Sequence, residues 1–432
     1  MFPRPSVESP RLVYSLTRLK SGPTVVTARM PHMASVSVGV WVGAGGRHEP
    51  EPLGGISHFI EHLLFKGTQR RTAAQISQAV EGIGGYLNAF TDEEHTCFYA
   101  RAQASRLGDL VDVLLDMFLA SRLDPAEIRR ERAVILEEMA MYRDQPAELM
   151  HDLLNEAQFP GHPLGRAVIG TPETLAKMRR THFVDYLASH YVTDSTVIAA
   201  AGNLEHEEVV NLVRRRLRQF RPGSRPGCHP PMDRKPKPAV KSVRKAVEQA
   251  NLGLGFRTCS RNDPRRYALR LLNVVLGENM SSRLFQVVRE EHGLTYNINS
   301  SISSWGDCGD LVISAGLDPS EVERTVKLVV AELVRLTRRA PTKGEFERAR
   351  DYVLGQMDLQ LESTEHHMMS LGEQWLAHGQ LMDPAEARRR ISGVRLSELL
   401  PVARAFLTPT RLAVAVVTPQ RRAYRLEPLL DF

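Results

Sequence analysis

His58-Phe59-Ile60-Glu61-His62 is the stretch on which the reading of this chain turns. On an α-helix, His58 and His62 stand one turn apart on the same face, the spacing at which two imidazoles can hold one metal ion. Glu61 projects beside them. It is close enough to act on a water at the metal and badly placed to be a ligand itself. Gly43–Gly46 and Pro50–Gly55 form the loop that delivers the chain into this helix.

A catalytic zinc site needs three protein ligands and an open position, so a third donor is expected on another element. The segment Glu131-Arg132-Ala133-Val134-Ile135-Leu136-Glu137-Glu138-Met139 supplies candidates. In a helix, Glu131 and Glu138 are seven apart and share a face, whereas Glu137 points away. Val134 and Ile135 are taken to mark a buried side near that face. Glu138 is therefore read as the third ligand, and Glu131 as a carboxylate behind the ligands that orients or charges the site. Two histidines on an apolar helix face can also be satisfied core residues, and the pentapeptide alone does not choose between these readings.

Strand patterns precede the histidine helix at Leu12–Leu19, Thr24–Met30 and Ser35–Val42. A helix pattern runs Thr72–Ile83 and stops at Gly84-Gly85, then strand-like runs cover Tyr86–Thr91 and His95–Ala102. Helix patterns follow at about 106–120, 125–142, 146–158 and 173–190, then a strand at Thr196–Ala201 and a helix at Glu205–Phe220. Residues 221–238 are rich in proline and read as a linker. A similar programme then restarts. Strands at Ala239–Val247 and Gln249–Phe256 lead to helices at Pro264–Leu276 and from Ser281. Strands Thr295–Ser303 and Asp310–Ala315 precede helices at about 320–338, 342–361, 363–378 and 395–406, and Leu412–Val417 closes the chain. The same order twice predicts two similar α+β domains, 1–220 and 239–432, joined by 221–238. The second half has no H-x-x-E-H.

The 432 residues are 42% hydrophobic and 25% charged, enough for two sizeable cores. The net charge of +6 is modest and the arginines are scattered, which argues against a nucleic-acid partner. The basic segment Lys235–Lys245 reads as a solvated linker. Cys97, Cys228, Cys259 and Cys308 are far apart with no C-x-x-C pair, which argues against a disulfide framework and a thiolate zinc site and fits a reducing compartment. No apolar run approaches the ~20 residues needed to span a bilayer, so no membrane role is expected. Met1–Lys20 has some transit-peptide composition, but Pro3, Pro5 and Pro10 would spoil an amphipathic helix, and the expectation is a cytoplasmic protein. His95, His151 and the pair His366-His367 are read as solvent-facing, and Gly253 and Gly255 as turn or strand glycines.

The order H-x-x-E-H is the signature of inverzincins. Gly54 through Thr68 closely resembles the zinc helix of M16 (pitrilysin-type) metallopeptidases, and Glu131–Met139 resembles that family's second block at matching spacing. Asn88-Ala89-Phe90-Thr91 is similar to the edge strand on which these enzymes bind peptides. In the second half the resemblance extends through Ser281–Phe285, Arg289 and Gly293-Leu294-Thr295-Tyr296. The resemblance implies two domains of one α+β type, each a mainly antiparallel sheet backed by helices, together forming half of a clamshell. It also implies a zinc endopeptidase, with Glu61 as general base and Asn88, Ala89, Phe90 and Thr91 at the substrate. Arg289 and Tyr296 would reach the substrate across a chamber closed by a second chain, in a homodimer or beside a zinc-less sister. A guanidinium and a phenol suit the oxyanion of peptide hydrolysis. Read without the resemblance, Arg289 is equally an ion-paired residue and Tyr296 a core residue. Two rivals to a general endopeptidase remain, a selective processing peptidase and a non-catalytic assembly subunit.

Overall fold

The strand patterns pair into two sheets. The computed structural model describes residues 13–20, 22–217, 220–231, 238–421 and 424–432. The reading of the first twelve residues, the start of the first strand at Leu12 and part of the proline-rich stretch thus lie outside the described residues. In the first sheet, β1 (Val13–Arg18), β2 (Thr24–Arg29), β3 (Ser35–Val42), β4 (Tyr86–Thr91), β5 (Thr96–Gln103) and β6 (Thr196–Gly202) stand in the order β1-β2-β6-β3-β5-β4. The second holds β7 (Ala239–Arg244), β8 (Ala250–Thr258), β9 (Thr295–Ser304), β10 (Gly309–Leu317) and β11 (Leu412–Thr418), ordered β7-β11-β8-β10-β9. In each sheet one pair is parallel, β2 with β6 and β7 with β11, and the other pairings are antiparallel. Removing β1 leaves two identical strand orders, so the chain is two similar α+β units. β4 and β9 occupy equivalent outer edges.

Both sheets are buried on two faces, which is why β3, β6, β8 and β11 read as nearly continuous small and β-branched apolar runs. One face of the first sheet packs Val36, Val38 and Val40 against its own helices. Its other face, with Trp41 and Val197, is covered by Met368, Leu371 and Leu376 of the helix Thr364–His378 from the second half. Reciprocally, Met150, Leu154 and Ala157 of the helix Pro146–Gln158 from the first half cover Ala413, Ala415 and Val417 of the second sheet. Glycines make both crossings close. A Cβ on Gly39 of β3 would lie 2.4 Å from the Met368 sulfur, and one on Gly253 of β8 would lie 2.1 Å from that of Met150. Gly253 and Gly255 are strand glycines that let a helix approach.

Buried charges tie the halves together as well. Glu94 accepts from Arg47 Nη1 at 2.9 Å and from Arg261 Nη2 at 2.6 Å, and Arg47 also pairs with Asp307 at 2.5 Å. Removing one partner of a buried pair costs about 3–5 kcal/mol, because the other charge is left unsatisfied. The described part of the proline-rich stretch is packed down. Arg225 donates to the Gly43 and Leu376 carbonyls, and the His229 carbonyl accepts from Arg47 at 2.9 Å.

Several elements differ from the sequence expectation. The helix at 173–190 is two helices, Pro172–Lys177 and Arg180–His190, because Met178 takes an extended conformation. Helix Arg266–Asn273 continues into a π-helical turn, Val274–Glu278, and the helix expected from Ser281 is π-helical over Phe285–Glu291. A helix at Pro384–Ser392, capped by Asp383, was not anticipated. The strand expected from Ala239 is β7, Ala239–Arg244, so the described part of the basic segment is not a solvated linker, and Lys245 pairs with Asp144 at 2.9 Å.

Candidate metal centre

The histidine helix, Ile56–Leu64, is fixed by its apolar face: Ile56, Phe59, Ile60, Leu63 and Leu64 are buried in the first core. Its start is unusual. Gly55 has φ +94°, and a Cβ there would come within 2.6 Å of the Ile169 carbonyl oxygen. The backbone N–H groups of Gly55 and Ser57 donate to the buried carboxylate of Glu49 at 2.7 and 2.8 Å. A carboxylate there satisfies two orphan donors and faces the positive end of the helix dipole. Glu49 was missed in the sequence because its contact depends on the intervening loop.

His58, Glu61 and His62 emerge on the half-buried face, opposite the helix Pro125–Asp144. The two imidazole rings have centroids 4.8 Å apart. Glu138 comes between them, its Oε2 3.4 Å from His62 Nε2 and 3.9 Å from His58 Nε2. One ligand atom from each of His58, His62 and Glu138 falls within 4.8 Å of the other two. Zinc bonds of about 2.0–2.2 Å to nitrogen and oxygen place neighbouring ligands a little over 3 Å apart, which suits this set. Glu138 Oε2 is buried and faces both Nε2 atoms, the disposition of three donors arranged around one shared ligand. Among the described residues this is the cluster that could hold a metal ion.

The electrostatics follow from burial and proximity. Burial, with the neighbouring His62, pushes His58 down to about 4. Burial would lower His62 too, but hydrogen bonds to Glu138 and Glu131 outweigh it and raise it. The hydrogen bond from His62 holds the Glu138 carboxyl below its ordinary range. Burial raises Glu61, against the hydrogen bond from Thr91.

Glu131 is 4% exposed, and its Oε2 lies 3.3 Å from His62 Nδ1. Its Oε1 pairs with Lys66 Nζ at 2.9 Å. Glu137 is exposed, and Ile135 is fully buried. Val134 is 48% exposed and does not belong to the buried side. Tyr142 stands one turn after Glu138 and helps to hold its carboxyl below the ordinary range, while burial and that carboxylate raise the Tyr142 phenol. Neither Lys66 nor Tyr142 was singled out in the sequence; Tyr142 lies four residues after Glu138 on one helix, a spacing that could have found it, whereas Lys66 lies past the end of the histidine helix and no spacing marks it.

Asn88, Ala89, Phe90 and Thr91 lie on β4, the outer edge strand. Thr91 Oγ1 donates to Glu61 Oε2 at 2.6 Å, joining the strand to the carboxylate beside the ligands. Asn88 bonds the Tyr86 hydroxyl at 2.6 Å. Arg289 and Tyr296 meet in the second half, with the guanidinium carbon 5.1 Å from the Tyr296 ring centroid and 4.6 Å from that of Phe285. Tyr296 is 82% exposed and so is not a core residue. His95 is buried against Trp41 and Asp92, and His367 is buried beside the Leu361 carbonyl and Tyr14, so neither faces solvent as expected. His366 is exposed.

A two-unit α+β fold that brings H-x-x-E-H against a glutamate helix defines a class of metallopeptidases, and the comparisons agree. Residues 24–172 match the family described as insulinase (peptidase family M16), and residues 177–353 match the peptidase M16 inactive domain. The chain belongs to the M16 family. It is 36% identical over 418 residues to an uncharacterized zinc protease of Streptomyces coelicolor, covering 95% of this chain and 91% of that protein. It is also 36% identical over 400 residues to the uncharacterized zinc protease YmxG of Bacillus subtilis, covering 93% and 97% respectively. In fold it is similar to a protease from Helicobacter pylori (TM-score 0.88, 21% identity, 95% of this chain and 100% of that one). It is similar too to a peptidase M16 inactive domain from Pseudomonas fluorescens (TM-score 0.88, 18% identity, 95% and 99%). Among the described residues no helix is long and apolar enough to cross a membrane.

Proposed function

We propose that this protein is a zinc-dependent endopeptidase acting on unfolded peptides. The observation that carries the reading is the meeting of His58, His62 and Glu138 within 4.8 Å, from two helices, with Glu61 beside them. Zinc bound there would polarise the scissile carbonyl and acidify a water. Glu61 takes the proton of the attacking water and later gives it to the leaving amine. Burial raises its carboxyl, which suits a group that must both accept and return a proton. Thr91 holds Glu61 at the end of β4, so a peptide added along that edge would run past the base. Backbone pairing makes little demand on side chains, hence broad specificity. Arg289 and Tyr296 would donate to the oxyanion from a second copy, in a homodimer closing a chamber that admits peptides and excludes large folded proteins. The dispersed free cysteines are consistent with a cytoplasmic site of action.

Metal content and peptide-library digestion, measured on one purified sample, test this. About one zinc per chain and several cuts per peptide are expected. Glu138→Gln should lose metal, whereas Glu61→Gln should keep it and lose turnover. A Glu61→Gln protein without metal would show that base and ligand are misassigned. A single cut per substrate would point instead to a processing peptidase, and wild-type protein without zinc to an assembly subunit.

A further inference from the structure

The turn that ends the histidine helix carries a group that reaches back to the metal centre. After Leu64 the chain leaves the helix through Phe65, whose N–H bonds the His62 carbonyl, and Lys66, whose N–H bonds that of Leu63 at 3.1 Å. Gly67 then turns the backbone with φ +110°, a conformation in which side chains are strained. This places Lys66 beside the helix Pro125–Asp144. Its Nζ lies 2.9 Å from Glu131 Oε1, while Glu131 Oε2 lies 3.3 Å from His62 Nδ1, and His62 Nε2 faces Glu138 at 3.4 Å. The contacts form one line from a half-exposed ammonium to a ligand nitrogen.

We propose that Lys66 is a positioning residue of the metal centre. By holding one oxygen of Glu131, it aims the other at His62 Nδ1 and so presents the Nε2 lone pair to the metal. Three physical points support this. A carboxylate as buried as Glu131 is expensive without a charged partner, and Lys66 is that partner. A carboxylate with one oxygen taken loses the freedom to rotate away from the imidazole. The bond to Glu131 is satisfied when Nδ1 carries the proton, the tautomer in which Nε2 can bind metal. Lys66 touches neither ligand nor substrate in this arrangement, and its action passes through Glu131.

The inference rests on zinc being held by His58, His62 and Glu138. Its test is the zinc dissociation constant of the full-length chain, measured by competition with a chromophoric chelator. The variants are Lys66→Met, Lys66→Arg, Glu131→Gln and the Lys66→Met/Glu131→Gln double. Lys66→Met should loosen zinc about 10-fold or more, within the range for groups behind metal ligands, and Lys66→Arg should restore most of it. In the Glu131→Gln background, Lys66→Met should have little further effect, since the pair acts as one unit. Wild-type affinity in Lys66→Met would overturn the proposal, as would an equal loss with and without Glu131. Wild-type protein that binds no zinc would instead sink the metal reading beneath it. If Lys66→Met does not fold, Lys66→Gln, which keeps a hydrogen-bond donor without the charge, carries the same comparison.

Discussion

Glu61 and Glu138 are both glutamates near the same two imidazoles, and position alone separates their proposed roles. Glu138 is drawn between the rings and held low by His62. Glu61, next to His62 in sequence, points toward Thr91 and is raised by burial. The seven-residue interval that put Glu131 on the face of Glu138 is matched by its contact with His62. Glu131→Gln should therefore lower zinc affinity and peptide turnover by about 10–100-fold. Full activity and full metal occupancy in that variant would show that the contact is incidental. Heptad arithmetic could find Glu131. It could not find Glu49, whose link to the helix start exists only after the loop closes, nor the burial of His95 under Trp41.

At the scale of elements, short apolar and β-branched runs bounded by turn residues were enough for nearly every strand. The helix starts expected at about 125 and 342 fall at Pro125 and Lys343, where Asp124 and Thr342 cap the first turn. The break at Met178 and the π-helical turns carry no such mark in the sequence. β4 is the element on which the substrate reading depends. Only one of its sides is paired within the sheet, to β5. If peptides add there, N-methylating alternate residues of a substrate should have unequal effects. On the set facing β4, each blocked bond should raise KM about fivefold, the worth of roughly 1 kcal/mol per hydrogen bond. On the other set the effect should be small. Equal sensitivity of both sets would rule out an added strand.

At the scale of the molecule, the two halves are not beads on a string. Each sheet is roofed by a helix from the other half, and Glu94 is shared by arginines from both. The helix bearing Glu138 runs through Gln145 into the helix that covers the second sheet, so the ligand's position is bound to that of the second half. Arg289 and Tyr296 pack on each other in that half. If they serve a neighbouring chain's metal site, two dead proteins should revive one another. Glu61→Gln mixed with a variant carrying Arg289→Ala and Tyr296→Phe gives heterodimers with one intact site. Activity should return to roughly a quarter of wild type at random exchange, since half the dimers carry one of two sites. A mixture that exchanges by mass yet stays inactive would place the pair in cis, or exclude such a dimer.

Local order determined what was legible in advance. The helical spacing of His58 and His62, the shared face of Glu131 and Glu138, and the twice-repeated run of elements all arise within a few residues or from simple periodicity. The tertiary structure alone decided which helix roofs which sheet, which glycines face a crossing helix, and which charges are buried between the halves. It also decided that Lys66 closes a line to His62. Those contacts join residues tens to hundreds of positions apart, and no local pattern records a contact that exists only once the chain has packed.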